Sequence, residues 1–259
     1  MGATDRSKKI LAPKICQINY MSPMRTRKAR FVKALVVTFL ALTFGACSSS
    51  QDTGSGGQMR VSQQVNKVII QNQVGAAIRF LFFSPSDSNH WGADILGSTR
   101  TLPHGSEIGF YAHYPDRCNS FDFMAIDENG RAYTDVRREI CDGTQGSVVF
   151  SPGNLAPDAQ TNFRYVQLEI TNSTAFQMVY VFVSPADSRM LGCDMLDQST
   201  ILGPGNSFTL LVPAEQQPVQ YDIIGADQDD DLYYFRIELD FSQERYSYAI
   251  EPGHLRPRN

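Results

Sequence analysis

The chain is written twice. SPSDSNHWGADIL, Ser84 to Leu96, returns 100 positions later as SPADSRMLGCDML, Ser184 to Leu196. The offset holds without a gap through almost two hundred residues. Ile70 and Asn72 match Ile170 and Asn172, and Leu102, Gly105, Asp122, Asp127 and Tyr133 recur at 202, 205, 222, 227 and 233. The closing SPGNLAP from Ser151 comes back as EPGHLRP from Glu251. A unit of about 95 residues is long enough to bury a core of its own, so the repeat predicts two tandem domains and not a solenoid. They span residues 65–157 and 158–259.

Comparison of the copies sorts scaffold from specialisation. His90 and Trp91 become Met190 and Leu191, whereas Ser-Pro, Asp-Ser, Gly and Asp-x-Leu are kept. The kept residues have structural explanations. Pro85 ends a strand because it has no N–H for the ladder, and Asp87 or Ser88 is placed to cap a short helical turn. Leu96 and Trp91 are expected to bury that turn against a sheet, leaving Asp94 to accept backbone hydrogen bonds. The stretch reads as architecture rather than as an active site.

Each unit is a run of short strands bounded by Gly, Pro, Asn or Asp, beginning with VNKVIIQN and AIRFLFFS in the first copy and YVQLEITN and FQMVYVFVS in the second. Six or seven strands with one short helical loop predict an all-β class, two tandem antiparallel β-sandwich or small barrel domains. Asn129-Gly130 predicts a two-residue hairpin turn of type I′. Cross-strand partners then sum to 259, placing Asp122 opposite Arg137, Phe123 opposite Val136 and Cys118 opposite Cys141. In an exported chain Cys118 and Cys141 are expected to form a disulfide. Pro218 and Phe241 stand at the corresponding places in the second copy, whose hairpin is therefore unbridged. Cys193 aligns with Ala93 and reads as a small buried side chain.

Residues 1–46 look like no part of this fold. MRTRKARFVK from Met24 is a basic run, ALVVTFLALTFG is apolar and too short to cross a bilayer comfortably, and Ala46-Cys47 follows. That order is an export signal. Phe44-Gly45-Ala46-Cys47 resembles a bacterial lipobox, which implies cleavage before Cys47 and acylation of its thiol and amino group. Several acyl chains anchor a protein firmly where one does not. Met1, Met21 and Met24 are all usable starts. SSSQDTGSGGQ after Cys47 is a flexible tether, and residues 47–64 together form the lipidated cysteine and linker. The seventeen residues to Gln64 reach about 20–25 Å, enough to hold a body clear of a membrane surface. Beyond residue 46 the chain has 14 bases against 26 acids, and Lys67 is its one lysine. Such a charge repels phosphate backbones, so nucleic acid is excluded as a partner, and the bilayer is met through the acylated Cys47.

No catalytic or metal constellation emerges. The histidines, His90, His104, His113 and His254, show no metal spacing, and no nucleophile elbow or phosphate-binding loop occurs. Asp227, Asp229, Asp230 and Asp231 alternate like calcium ligands, but Leu232 stands where an EF-hand needs glycine, and a solvated hairpin turn is expected.

Asn72, Ser84-Pro85, Trp91 through Gly97, Leu102-Pro103-His104-Gly105 and Cys118 through Cys141 together resemble a small secreted β-domain that recurs in uncharacterised bacterial proteins. The second copy departs from it at Trp91, Gly97 and both cysteines. The resemblance implies fold and compartment and carries no established enzyme activity; separately, no cofactor is expected. The function expected is a non-enzymatic, lipid-anchored protein of the cell envelope, in the outer membrane on its periplasmic face or surface, that contacts another envelope protein. The alternative is a small-ligand, glycan or cation-binding module using the loops at His90-Trp91 and His113-Tyr114.

Overall fold

The computed structural model describes residues 19–20, 61, 64–113, 117–141, 145–196 and 200–257. Cys47, the signal and most of the tether lie outside them; Val61, expected in the flexible tether, is instead buried in a cluster with Phe182, Ile224 and Ala226, so the ordered body begins before residue 65. A two-residue strand, β1 (Asn19–Tyr20), pairs with Gly109 and Ile108, although it falls in the stretch that the sequence assigns to an extension ahead of the signal. The first copy contributes β2 (Val65–Asn72), β3 (Ile78–Pro85), β4 (Glu107–His113), β5 (Cys118–Asp127), β6 (Ala132–Cys141) and β7 (Gly146–Phe150). The second contributes β8 (Arg164–Asn172), β9 (Met178–Pro185), β10 (Ser207–Ala214), β11 (Val219–Asp227), β12 (Leu232–Leu239) and β13 (Arg245–Ile250).

The two copies fold alike, as two β-sandwich-like domains. Sheets β4-β2-β7 and β3-β5-β6 in the first copy correspond to β10-β8-β13 and β9-β11-β12 in the second. In the first of these sheets the registers agree: Ile70 faces Ile108 and Val148, and Ile170 faces Phe208 and Tyr248. The last strand of each copy pairs parallel to the first, so these sheets are mixed where the sequence predicted purely antiparallel ones. Arrival of β7 and β13 from the opposite sheet, not through a hairpin, permits the parallel direction.

Residues kept in both copies satisfy buried backbone. The Asn72 amide donates to the carbonyls of Ala76 and Leu102 at 2.8 and 2.7 Å while accepting from the Val74 N–H. Asn172 repeats this with Phe176, Leu202 and Thr174. Each asparagine is fully buried, and an unmade bond at such a site would cost about 1–3 kcal/mol. Gly105 and Gly205 take φ of 79° and 76° beside them, a region that suits glycine. Asp94 does accept backbone hydrogen bonds, from Leu81 and Leu96 at 3.1 and 3.0 Å. The expected helical turn at Asp87-Ser88 is instead a hydroxyl turn, with the His90 N–H donating to Ser88 Oγ. The 3-10 turns lie at Pro152–Asn154 and Pro252–His254.

The β5–β6 hairpin corrects the predicted turn. Asp127 N–H donates to the Arg131 carbonyl and Gly130 has φ 78°, so the loop is Glu128-Asn129-Gly130, the three-residue type closed by a left-handed glycine. Asp127 over-determines it by accepting from the N–H groups of Asn129 and Arg131. Near the loop, partners therefore sum to 258, and Phe123 faces Asp135, not Val136. A bulge between Phe121 and Phe123, with Arg137 at φ 56°, then adds one residue to β6. Asp122 does not face the Arg137 side chain but accepts from its backbone N–H at 2.7 Å. Past the bulge the sum returns to 259 and Cys118 faces Cys141, in a disulfide. The two register errors cancel. The second copy has no such bulge: Asp222 faces Arg236 and binds its guanidinium at 2.7 Å, and Val219 faces Leu239.

With 23 residues of separation, the disulfide constrains the unfolded chain by about 3 kcal/mol. Cys118→Ser/Cys141→Ser is expected to lower the unfolding free energy from urea titration by about that amount, with a somewhat larger m-value as the uncrosslinked unfolded chain expands. A variant as stable as the parent would contradict this.

Candidate functional site

The retained stretch around residues 84–96 is where the copies meet. β10 ends its sheet, and β4 is flanked on its outer side by β1 only at Ile108 and Gly109; an uncovered edge is a template for unwanted pairing. Each is covered by the loop of the other copy. The Asp94 N–H donates to the Leu211 carbonyl of β10 at 2.5 Å, and the Asp194 N–H donates to the Tyr111 carbonyl of β4 at 3.0 Å. The contacts are equivalent under the 100-residue offset, as in an isologous dimer interface joined into one chain. Near the middle, Asn89 N–H binds Asp187 and Ser188 Oγ binds Asp87, at 2.7 and 2.9 Å. One apolar cluster runs from Val68 to Ile250 through both copies. Phe80 stacks on Tyr165 with ring centroids 4.8 Å apart, and Phe82 meets Phe163 edge-on at 5.5 Å. Sequence comparison found the retained residues but not that the partner is the other copy.

The predicted binding residues fall at the two equivalent contacts and not in one cleft. At one, His90 Nδ1 lies 2.9 Å from Glu215 Oε1, and the Trp91 carbonyl accepts from the buried Tyr221 hydroxyl at 2.9 Å. Trp91 is only 8% exposed and packs on Phe82. At the other, the His113 N–H donates to Gly192 O at 2.7 Å, and its Nδ1 accepts from the Leu191 N–H. The His113 ring meets Phe182 edge-on. Pro213 stands opposite in the second copy and has no N–H to return that bond. Tyr114 lies outside the described residues.

The contacts differ in polarity. Trp91 Nε1, Asp94 Oδ2 and Tyr165 OH are buried without a hydrogen-bond partner among the described residues. All three flank residues 80–82 of β3, through the Phe82–Trp91 and Phe80–Tyr165 ring pairs and the Leu81 N–H bond to Asp94. Burial pushes the Asp94 carboxyl up to about 7, against the opposing pull of its two backbone N–H donors and Arg100. Burial also raises the Tyr165 phenol, and the Asp94 charge adds to it. His113 is held neutral, lowered to about 4 by desolvation. A cavity of about 340 Å³ opens beside Trp91, walled otherwise by second-copy residues between Gln160 and Phe241.

Other singled-out residues serve the scaffold. Asp227 spends Oδ1 on the N–H groups of Asp229 and Asp231, holding the hairpin turn. Cys193 is fully buried as expected, but it is disulfide-bonded and not a free thiol. Among the described residues, the close cluster of potential metal-ligating atoms is Cys118, Glu139 and Cys141, whose sulfurs form the disulfide.

No family model matches the chain, and no curated protein matches it. Among solved structures, a family 26 carbohydrate-binding module from Eubacterium rectale in complex with maltoheptaose is similar at 8% identity and a TM-score of 0.20, over 71% of this chain and 90% of that one. A protein described as an adhesin from Bacteroides ovatus is similar at 9% identity and a TM-score of 0.23, over 79% and 96%. Overlaps this slight carry no argument about fold or ligand.

Asp94 and His113, both buried, pull stability in opposite directions. Between 3.8 and about 7 the native state holds a proton on Asp94 that the unfolded chain has lost, so this site's contribution falls as pH rises through that window. Between about 4 and 6.5 the unfolded chain protonates His113 and the native state does not, so that contribution rises with pH. Asp94→Asn keeps an oxygen for Leu81 and Leu96 and is expected to steepen the gain in stability from pH 4 to 6.5, on the order of a few kcal/mol. His113→Asn is expected to do the reverse. Urea midpoints with the parental pH slope in both variants would contradict the assignment.

Proposed function

We propose that the chain is a lipid-anchored, non-catalytic protein of the cell envelope whose fused domains dock another envelope protein. The observation that carries this reading is a pair of exposed apolar side chains in the second copy. Phe176 and Ile201 are 46% and 51% exposed, where the first copy has the buried Ala76 and the polar Thr101. Their segments are tied together by the Asn172 amide, which binds the carbonyls of Phe176 and Leu202. Large apolar residues on the surface mark interaction sites when they group, and aromatic anchors carry much of the energy of such contacts. The scaffold does not need them, since the first copy folds without them. The export signal and Cys47 supply the compartment and the anchor, and the acid excess of residues 47–259 suits a body held off an anionic lipid surface.

A photo-crosslinking phenylalanine analogue placed at Phe176, at Ile201 or at the exposed control Glu128 tests the contact in intact envelopes. Adducts of one mass are expected from the first two positions and none from the third. Adducts from all three alike, or from none, would contradict the reading. Cys47→Ser is expected to move the chain from the membrane to the soluble fraction; unchanged partitioning would contradict the anchor.

A further inference from the structure

A cavity lies beside Trp91 at the inter-copy interface. Its aromatic wall is Trp91, Phe163 and Phe241, and the 100-residue offset puts Leu191, Gln63 and Cys141 at the matching places. These three rings are particular to this contact in sequence, since Leu191, Gln63 and Cys141 are not aromatic.

Its polar lining is equally particular. Gln160, Asn162 and Gln216 bring side-chain amides, each with an oxygen acceptor and two N–H donors. Arg164 and Glu215 bring one charge of each sign. Both are already engaged: the Arg164 guanidinium lies 4.8 Å from the centre of the Phe241 ring, and Glu215 meets His90. A wall balanced in this way selects against no charge and for none. The indole N–H of Trp91, a residue more than nine-tenths buried, has no acceptor among the described residues. Leaving a buried donor unpaired costs about 1–3 kcal/mol, so the Trp91 side of this contact is not optimised for packing alone.

We infer that this cavity, between Trp91 and the Asn162 and Gln216 amides, is a binding site for a small neutral saccharide. A sugar ring has an apolar C–H face that covers an aromatic side chain, and rim hydroxyls that donate and accept at once. Amides match those hydroxyls because they also do both. At about 340 Å³ the cavity is at the lower end of ligand-pocket sizes, about 300–1,000 Å³, and takes one or two rings, not a long chain. The acid excess of the domains turns away anionic sugars. The site lies apart from Phe176 and Ile201, so it stands or falls separately from the protein contact.

Trp91 is the one tryptophan of the chain, so a single indole N–H resonance reports this site and nothing else. The full chain is titrated with glucose, galactose, mannose, N-acetylglucosamine and their disaccharides. At least one is expected to shift that resonance saturably, with a matching change in tryptophan emission. Asn162→Ala/Gln216→Ala alters exposed rim residues and is expected to weaken that sugar about tenfold, or about 1.4 kcal/mol, without changing the melting temperature. An indole resonance that none of these sugars moves would overturn the inference. So would a shift that survives unchanged in the double variant.

Discussion

Two backbone hydrogen bonds, from Asp94 N–H to Leu211 and from Asp194 N–H to Tyr111, hold the account together. Each covers the outer side of a strand, β10 or the part of β4 beyond its pairing with β1, in the opposite copy, and each is aimed by a carboxylate that accepts two further N–H groups from its own copy. Asp94 binds Leu81 and Leu96, and Asp194 binds Val181 and Leu196. A buried aspartate at the turn thus rigidifies the loop, and the rigid loop covers the neighbour's edge. The arrangement answers the edge problem without closing a barrel, and it converts two similar domains into one body with a shared core.

Reciprocity also explains where function is free to appear. A clasp made twice needs its specialised chemistry only where the copies differ. At His113 the second copy's loop is held by a ring nitrogen and a backbone N–H. At Trp91 the corresponding contact rests on the Tyr221 hydroxyl and leaves polar atoms of Trp91, Asp94 and Tyr165 unpaired. Unpaired buried groups are costly, and among the described residues these three gather around β3. The same reasoning separates Phe176 and Ile201 from Leu155 and Leu255. The latter are exposed in both copies just after the 3-10 turns and belong to the scaffold.

Much of the fold was legible in the residues. Alternation and turn residues placed the strands, and the gapless offset predicted that Asn72 and Asn172, or Asp94 and Asp194, would do the same work. Three things were not legible. The extra residue at Arg137 leaves no trace in hydrophobic period, because a bulge shifts register without changing which side chains are apolar; Cys118 still met Cys141 only because the longer turn offset it. The parallel pairing of β7 and β13 depends on the path between sheets, which strand patterns do not encode. The clasp was hidden because retention identifies a residue as structural but does not say which copy it supports. For the candidate site, His90 and Trp91 were found, but their companions Asn162, Phe163 and Gln216 belong to the other copy and carried no local signal.

Native-state hydrogen exchange at the Asp94 and Asp194 amides tests the reciprocal clasp most directly. Both lie outside the named strands, where amides ordinarily exchange through local fluctuations. The account predicts that both exchange only with global unfolding, at the same free energy as the central strands β2 and β8. Exchange of either amide at the rate of an ordinary surface loop, with those strands still protected, would contradict it.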